Sequence, residues 1–163
     1  MRASVVTADR IATLERIWHR EIPISAAMGI RIVRFANDVL EARAALAPNV
    51  NVHGTAFAGS LYAIAALTGW GSVWLALQAR GLDGHIVIAE GSIQYLKPVG
   101  AEIVARCRFA TEDQAHAWQT LGETGKCRFP LDVAVAVAGA DEDAARFRGS
   151  YAVRAIGNAT RQI

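Results

Sequence analysis

A long uncharged segment occupies the middle of the chain. Residues 56–79 contain no Asp, Glu, Lys, Arg or His, and they are rich in alanine, glycine and leucine. A helix that is apolar on every side has to be surrounded, either by lipid or by the rest of the protein. The many small side chains suit a close approach to another backbone. We predict a buried central helix over residues 55–80, with Gly81 at its C-terminal cap position.

The chain before this segment predicts one helix and one β-hairpin. Residues 7–21 place apolar side chains at helical spacing and can be capped by Thr7 or Asp9. Further on, the hydrophobic period changes from helical to two, which is typical of strands. Asn37 and Asp38 form a turn signal inside this alternating stretch. We therefore predict an N-terminal helix followed by two strands that pair through this turn.

The chain after the central helix alternates between polar and apolar residues in four stretches, which predict four strands. Gly91 predicts a bulge in the first of them. A polar segment between the second and third stretches predicts a short helix or a loop, and residues 157–163 predict a frayed tail. The four stretches are residues 85–99, 101–111, 125–138 and 144–156.

Together these elements predict an α+β fold in a single domain over residues 1–163. An antiparallel sheet needs one face covered, and the long apolar helix is the element suited to cover it. We expect a curved antiparallel sheet of five or six strands wrapped around one buried helix, with the N-terminal helix as an addition.

Composition and charge narrow the functional classes. The chain has 163 residues, of which 53% are hydrophobic, and its formal net charge is only +2. Lys and Arg do not cluster, so we do not expect nucleic-acid binding. The first 20 residues carry charges throughout and have no apolar signal core, which favours a cytoplasmic location.

The central segment has the length of a membrane span, which takes about 20 apolar residues. Thr68, Ser72 and Gln78 interrupt it, and no basic cluster flanks it. We therefore expect no membrane span. Cys107 and Cys127 are expected to be buried and unpaired. The cysteines and four histidines lack metal-ligand spacing, so no metal or cofactor is expected.

Two motifs carry a resemblance to a known family. The sequence G-T-A-F-A-G-S-L-Y at residues 54–62 and I-Q-Y-L-K-P-V at residues 93–99 resemble the G-T-x-F-x-G-S-L-Y and I-x-Y-L-x-P-V patterns of one thioesterase group. That group is the thioesterase domain found at the C-terminus of some bacterial acetyltransferase-like proteins. It belongs to the hotdog-fold acyl-CoA thioesterases, and the resemblance extends over residues 22–155.

This resemblance implies a quaternary structure and a substrate class. Hotdog domains usually pair edge to edge through the strand after the long helix, here residues 86–96. It therefore implies a homodimer, with a dimer of dimers as a further possibility. It also implies an acyl-CoA or acyl-carrier phosphopantetheine substrate, bound at the junction of two subunits.

Thioester hydrolysis needs donors for the carbonyl oxygen, and the N–H groups at a helix start are unpaired and lie at the positive end of the dipole. The N–H groups of Ala58, Gly59 and Ser60 are the candidates, and Gly59 leaves room for the carbonyl. Packing of the helix on the sheet is the alternative reason for this glycine. Thr55 is a further candidate substrate contact. Helix capping is the alternative role for Thr55 and Ser60, with Thr55 the favoured cap.

In similar thioesterases a side chain at the position of Asn51 orients the carbonyl or the water. The alternative for Asn51 is a structural role in its turn. His53, beside Gly54, is a candidate substrate contact because its ordinary pKa lies near neutrality. A solvated or structural loop histidine is the alternative.

The chain departs from many hotdog thioesterases in one respect. They carry an Asp or Glu early in the long helix, whereas residues 63–68 contain no carboxylate. Glu90 is the alternative candidate for the general base, with Ser92 beside it to orient water. If no bulge intervenes, Glu90 shares one strand face with apolar neighbours, and desolvation would raise its pKa. An ion pair with an arginine is the competing interpretation of Glu90.

The missing carboxylate leaves three functional hypotheses. The first is hydrolysis of an acyl thioester, with Gly59, Asn51 and Glu90 as the catalytic groups. The second is a non-catalytic module that binds acyl-CoA or lipid. The third is a hotdog dehydratase or hydratase, for which His53 supplies only half of the expected acid–base pair.

Overall fold

The computed structural model describes residues 8–157. Thr7, one of the two predicted caps, and all but the first residue of the predicted tail lie outside this range. The elements in chain order are α1 (Ala8–Glu21), α2 (Pro23–Ala27), β1 (Arg31–Ala36), β2 (Val39–Ala44), α3 (Ala58–Ala79), β3 (Gly84–Tyr95), β4 (Ile103–Arg108), α4 (Ala115–Thr124), β5 (Lys126–Val137) and β6 (Asp143–Ala155).

The six strands form one antiparallel sheet in the order β1-β2-β4-β5-β6-β3. The central helix α3 packs on one face, which we call the inner face; the opposite face is the outer face. The predicted α+β fold is thus confirmed, with six strands around one long helix. The strand β3, which follows α3 in the chain, lies at an edge of the sheet.

Glycines let α3 approach its neighbours closely. A Cβ atom on Gly69 would lie 2.1 Å from the hydroxyl oxygen of Tyr151 in β6, and one on Gly71 would lie 2.6 Å from the Trp18 ring of α1. The hydroxyl of Thr68 donates to the backbone carbonyl of Ile64 (2.6 Å). Thr68 and Ser72, two of the three side chains that interrupt the apolar segment, are therefore accommodated inside the fold.

The burial of α3 accounts for its hydrophobicity. Among the described residues, α3 is the one helix that is both long enough and apolar enough to cross a membrane. However, 67% of its most apolar stretch is buried inside the protein. Its apolar character is thus what a core helix requires. The helix ends as predicted, with Gly81 in the left-handed conformation at φ 67°.

The helix α3 begins three residues later than predicted. Its N-cap residue is Phe57, and no side chain caps it, so the expected cap by Thr55 is wrong. The reason is that Thr55 and Ala56 are held in the preceding loop. The N–H of Ala56 donates to the carbonyl of Val99 (2.7 Å), and the Thr55 carbonyl accepts from the N–H of Asn51 (2.7 Å).

The bulge in β3 lies between Ile88 and Glu90, where the pairing with β6 shifts register. The prediction of a bulge at Gly91 is therefore wrong. Gly91 instead pairs regularly with Gly149 and lies beneath Tyr62 of α3. A Cβ atom there would come 2.3 Å from the hydroxyl oxygen of Tyr62, so this glycine makes room for the tyrosine.

Other expectations are confirmed or refined. Asn37 and Asp38 form the hairpin turn with φ of 51° and 60°. Cys107 and Cys127 are buried and free, and burial raises the pKa of both thiols to about 11. The connection between β4 and β5, predicted as a short helix or a loop, contains the ten-residue helix α4.

The outer face carries a buried carboxylate, Glu41 of β2, which is only 3% exposed. It accepts hydrogen bonds from Arg43 (2.7 Å) and Arg106 (2.8 Å), and Arg34 lies 3.6 Å away. Burial by itself would raise the pKa of Glu41, but the hydrogen bonds from Arg106 and Arg43 outweigh it and lower the pKa below its usual range. The charged carboxylate therefore stabilises three neighbouring strands.

We expect Glu41→Gln to lower the free energy of unfolding by about 2 kcal/mol at pH 7, because the neutral amide keeps only one of the two acceptor oxygens and removes the negative charge shared by three arginines. A lowered carboxyl pKa stabilises the fold above the unfolded-state value of about 4.3. This contribution is lost as the pH falls through the folded-state pKa. Urea unfolding at pH 7, 4 and 3 should show the difference narrowing with acidity.

The matched control is Glu112→Gln, whose ion pair with Arg108 is 3.9 Å long and solvent-exposed. We expect Glu112→Gln to change the free energy of unfolding by no more than about 0.5 kcal/mol at each of the three pH values. A Glu41→Gln effect of the same size at pH 7 and pH 3 would contradict the electrostatic explanation.

Candidate active site

Asn51 holds together the loop of residues 50–57 that leads into α3. Its side-chain Oδ1 accepts from the backbone N–H groups of His53 (2.8 Å) and Thr55 (3.2 Å). Its Nδ2 donates to Thr55 Oγ1 (2.9 Å) and to the carbonyl of Ala56 (3.3 Å). Both lone pairs and both donors of the amide are thus used inside the loop. This geometry gives Asn51 the turn-holding role that the sequence left open as its alternative.

A second asparagine, Asn49, anchors the same loop to the core. Its side chain is buried, and Nδ2 donates to the carbonyls of Met28 and Ala45, at 2.8 Å each. Its own carbonyl accepts from the N–H of Phe57 (2.7 Å), the N-cap of α3. Sequence reasoning missed this residue, which lies five residues before the motif at residues 54–62. Asn49 therefore fixes the position of the helix start, because its side chain binds the core and its backbone carbonyl binds the N-cap residue.

The start of α3 presents two N–H groups without an acceptor among residues 8–157, those of Ala58 and Gly59. Both residues are exposed. The third candidate is different, because the N–H of Ser60 donates to the carbonyl of Phe57 (2.9 Å) and Ser60 is buried. The helix start can thus offer two adjacent donors at the positive end of a 22-residue helix.

The ring of Phe57 lies over Gly59. A Cβ atom on Gly59 would be 2.4 Å from Cε1 of Phe57, whose side chain is 55% exposed. The Phe57 ring therefore packs directly on the helix backbone beside the two N–H groups, in the space that a side chain at Gly59 would occupy. Helix–sheet packing, the alternative reason for this glycine, is not what the contact shows, because the neighbouring atom belongs to the loop.

Two tyrosines flank the helix start, and sequence reasoning did not single out either of them. The hydroxyl of Tyr95 in β3 donates to the carbonyl of Ala58 (2.9 Å). The pKa of Tyr95 lies above its usual value, mainly because of desolvation and to a smaller extent because Tyr62 is close. The Tyr95 hydroxyl therefore stays a donor at neutral pH. Tyr62 packs edge-on against Phe147, with ring centroids 5.1 Å apart. Both tyrosines belong to the family motifs, which was the available signal.

Glu90 and Ser92 do not lie with this group within the chain. Ile86 and Ile88 pair with Val153 and Tyr151, which are buried on the inner face. After the bulge, the alternation of inner-face and outer-face side chains is shifted by one residue. Glu90 therefore does not share a face with Ile86 and Ile88, which was expected only for a strand without a bulge.

On the outer face, Glu90 is 77% exposed and pairs with Arg128 at 3.1 Å. Ser92 lies opposite Arg148 of β6. The desolvation expected for Glu90 is therefore absent in the single chain, and its ion pair matches the competing interpretation.

His53 and Thr55 remain close to the helix start through the loop. His53 is exposed, and the contact it makes through its backbone is the one with Asn51. The Thr55 hydroxyl accepts from the same asparagine. Among residues 8–157, no three His, Cys, Asp or Glu side chains are grouped so that they could hold a metal ion.

Comparison with known proteins decides the family. The sequence profile described as "Putative thioesterase (yiiD_Cterm)" matches residues 11–155. The chain belongs to this thioesterase family.

Solved structures agree with the family assignment. A thioesterase-named structure from Shewanella oneidensis is 36% identical, with a TM-score of 0.80, and the match covers 90% of this chain and 98% of that one. A protein of unknown function from Chlorobaculum tepidum is 30% identical, with a TM-score of 0.86 and coverage of 94% and 99%. A Haemophilus influenzae thioesterase shares the fold at 15% identity, with a TM-score of 0.70 and full coverage of both chains. The fold is the hotdog fold of thioester hydrolases.

In this thioesterase domain we expect Asn51→Ala to lower the free energy of unfolding by about 1–3 kcal/mol, because four hydrogen bonds of the loop are lost. Asn51→Asp keeps the two bonds accepted by Oδ1 and should recover part of that loss. Urea unfolding of both variants measures the difference. Wild-type stability in Asn51→Ala would show that the side chain is not needed to hold the loop.

Proposed function

We propose that the protein hydrolyses acyl thioesters and that the N–H groups of Ala58 and Gly59 bind the carbonyl oxygen. The observation that carries the proposal is the exposed pair of adjacent donors without an acceptor in residues 8–157. As water attacks the carbonyl carbon, negative charge develops on this oxygen, and fixed N–H donors stabilise it. The C–S bond then breaks and the thiol leaves.

The hydrogen bonds of the neighbouring residues support this role. Asn51 and Asn49 fix the loop before the helix, and Tyr95 binds the carbonyl of Ala58. The donors are therefore held in place before the substrate arrives, which is the condition for electrostatic stabilisation of a transition state. Asn51 contributes in this proposal by positioning the donors.

The substrate we propose is an acyl-CoA or an acyl-carrier phosphopantetheine, bound at the seam of a homodimer. The edge strand β3 supports the dimer, because its 12 residues are mostly exposed, including Val87 (60%), Ile88 (39%) and Tyr95 (48%). An unprotected edge strand of this length invites pairing with another strand. Pairing of two β3 strands would join the sheets and bring a second copy next to the helix start.

The group that activates water stays a prediction. Glu90 was the candidate from the sequence, but it lies on the outer face and is paired with Arg128 in the single chain. His53 is the one titratable side chain in the loop of residues 50–57. The absence of a carboxylate from residues 63–68 favours the second candidate function, a module that binds acyl thioesters without hydrolysing them.

We expect wild-type protein to release free thiol from acyl-CoA substrates and Gly59→Ala to reduce kcat/KM at least about tenfold. The new Cβ would push the Phe57 ring into the approach to the N–H donors. Stability should stay within about 1 kcal/mol, because the Phe57 ring is exposed and alanine favours a helix. The assay is colorimetric thiol detection over a panel of acyl-CoAs.

Two variants complete this assay. Gly122→Ala makes the same exchange in α4, where nothing lies within 4 Å of the added Cβ, and should leave the rate unchanged. Glu90→Gln should leave kcat/KM within about twofold of the wild-type value. Removal of a general base would instead lower kcat/KM by about 10²–10⁴-fold. If no thiol appears over hours while acyl-CoA raises the melting temperature, the binding module is the correct function.

We expect the protein to have twice its monomer mass of 17.4 kDa in solution. Val87→Lys in β3 should shift it toward the monomer, because an edge lysine opposes strand pairing. Val33→Lys is the matched control in β1, the opposite edge strand, where the side chain is 41% exposed. Light scattering after gel filtration measures both masses. An unchanged dimer in Val87→Lys would exclude pairing through β3.

A further inference from the structure

An apolar pocket of about 200 Å³ lies on the inner face, where α3, β3 and the segment around α2 meet. Ala63, Ala66 and Trp70 of α3 line one part of it. Ile88 contributes from β3 and Tyr151 from β6. The Tyr151 hydroxyl donates to the carbonyl of Ala66 (2.8 Å), so it is already used, and the buried Ser25 hydroxyl is a neutral polar group of the lining that has no partner among residues 8–157. The pocket therefore suits a group without charge.

The remaining wall comes from the turn between α1 and α2 and from the residues that follow it. Ile22 and Ile24 belong to this turn and to α2, and the side chain of Met28 is buried at 6% exposure. Asn49 donates to the Met28 carbonyl (2.8 Å). The same asparagine that anchors the helix start thus also fixes this wall of the pocket.

One side of α3 connects the pocket with the two N–H donors. Gly59, Ala63, Ala66 and Trp70 follow one another at intervals of four, three and four residues, which places them along one helix face. Ala63 and Ala66 carry only a methyl group, which leaves space above the helix between Gly59 and Trp70. The Trp70 indole is fixed at the far end because its Nε1 donates to the carbonyl of Ile86 (2.9 Å).

We propose that this pocket binds the acyl group of the thioester and limits its length. The inference rests on the proposed function, because it takes the carbonyl oxygen to lie at Ala58 and Gly59. A cavity of about 150 Å³ holds benzene, so a pocket of about 200 Å³ suits an uncharged acyl group of about six to eight carbon atoms. The small residues Ala63 and Ala66 keep the path open, and Met28 limits how far the chain can extend.

The test is a chain-length profile of the full protein with saturated acyl-CoAs from acetyl to palmitoyl. Ala63→Leu should fill the path and reduce kcat/KM for octanoyl-CoA at least about tenfold more than kcat/KM for acetyl-CoA. Met28→Ala should move the longest accepted chain upward by about three carbon atoms, the number of side-chain atoms removed beyond Cβ. The control variant is Ala79→Leu, which makes the same alanine-to-leucine exchange at a half-buried position at the other end of α3. It should leave the chain-length profile unchanged.

Melting temperatures with non-hydrolysable acyl-CoA thioethers separate the two proposals. If the thioethers stabilise the protein with the same length dependence but no thioester is cleaved, the pocket stands and hydrolysis fails. If thioesters are cleaved but Ala63→Leu and Met28→Ala leave both profiles unchanged, hydrolysis stands and this inference is overturned. It is also overturned if Ala63→Leu changes the mass in solution without changing the length profile, because the pocket then receives a second copy of the chain.

Discussion

The enclosure of one uncharged helix by a sheet is the constraint on which the rest of this structure depends. Because α3 is apolar on all sides, it has to be packed on all sides, and its glycines allow contact with Tyr151 and Trp18 at distances that a methyl group would prevent. These contacts fix the position of the helix against the strands. Its N-terminus is therefore placed reproducibly beside the end of β3, where Tyr95 binds the carbonyl of Ala58.

The candidate site uses the backbone at this fixed position. The two N–H groups at the helix start need no ionisable side chain to bind an oxygen, and the surrounding side chains hold them in place. Asn49 and Asn51 fix the loop that precedes the helix, and the Phe57 ring packs on the helix start at Gly59. The carbonyl site that we propose therefore does not depend on a carboxylate early in α3.

The sheet separates two kinds of chemistry. Its inner face is apolar and contains the helix, the tyrosines and the proposed acyl pocket. Its outer face carries ion pairs, from the buried Glu41 cluster to Glu90 with Arg128. The bulge between Ile88 and Glu90 determines on which face each half of β3 presents its side chains. One unpaired residue thereby moves Glu90 from the apolar face, where it had been expected, to the charged one.

The sequence by itself determined the N-terminal helix, the central helix, the six strands, the hairpin turn at Asn37 and Asp38, the α+β class and the family motifs, but it did not predict the short helix α2. These features depend on local periodicity, on the few residue types that tolerate positive φ, and on two short sequence motifs. Only the tertiary structure decided where the bulge lies, because β3 takes its register from β6, about 60 residues further along. It also decided that α3 begins only at Ala58, because the N–H of Ala56 is bonded to the carbonyl of Val99, and that Tyr95 binds the carbonyl of Ala58. Contacts of this kind join residues that no local pattern relates, so they follow from packing alone.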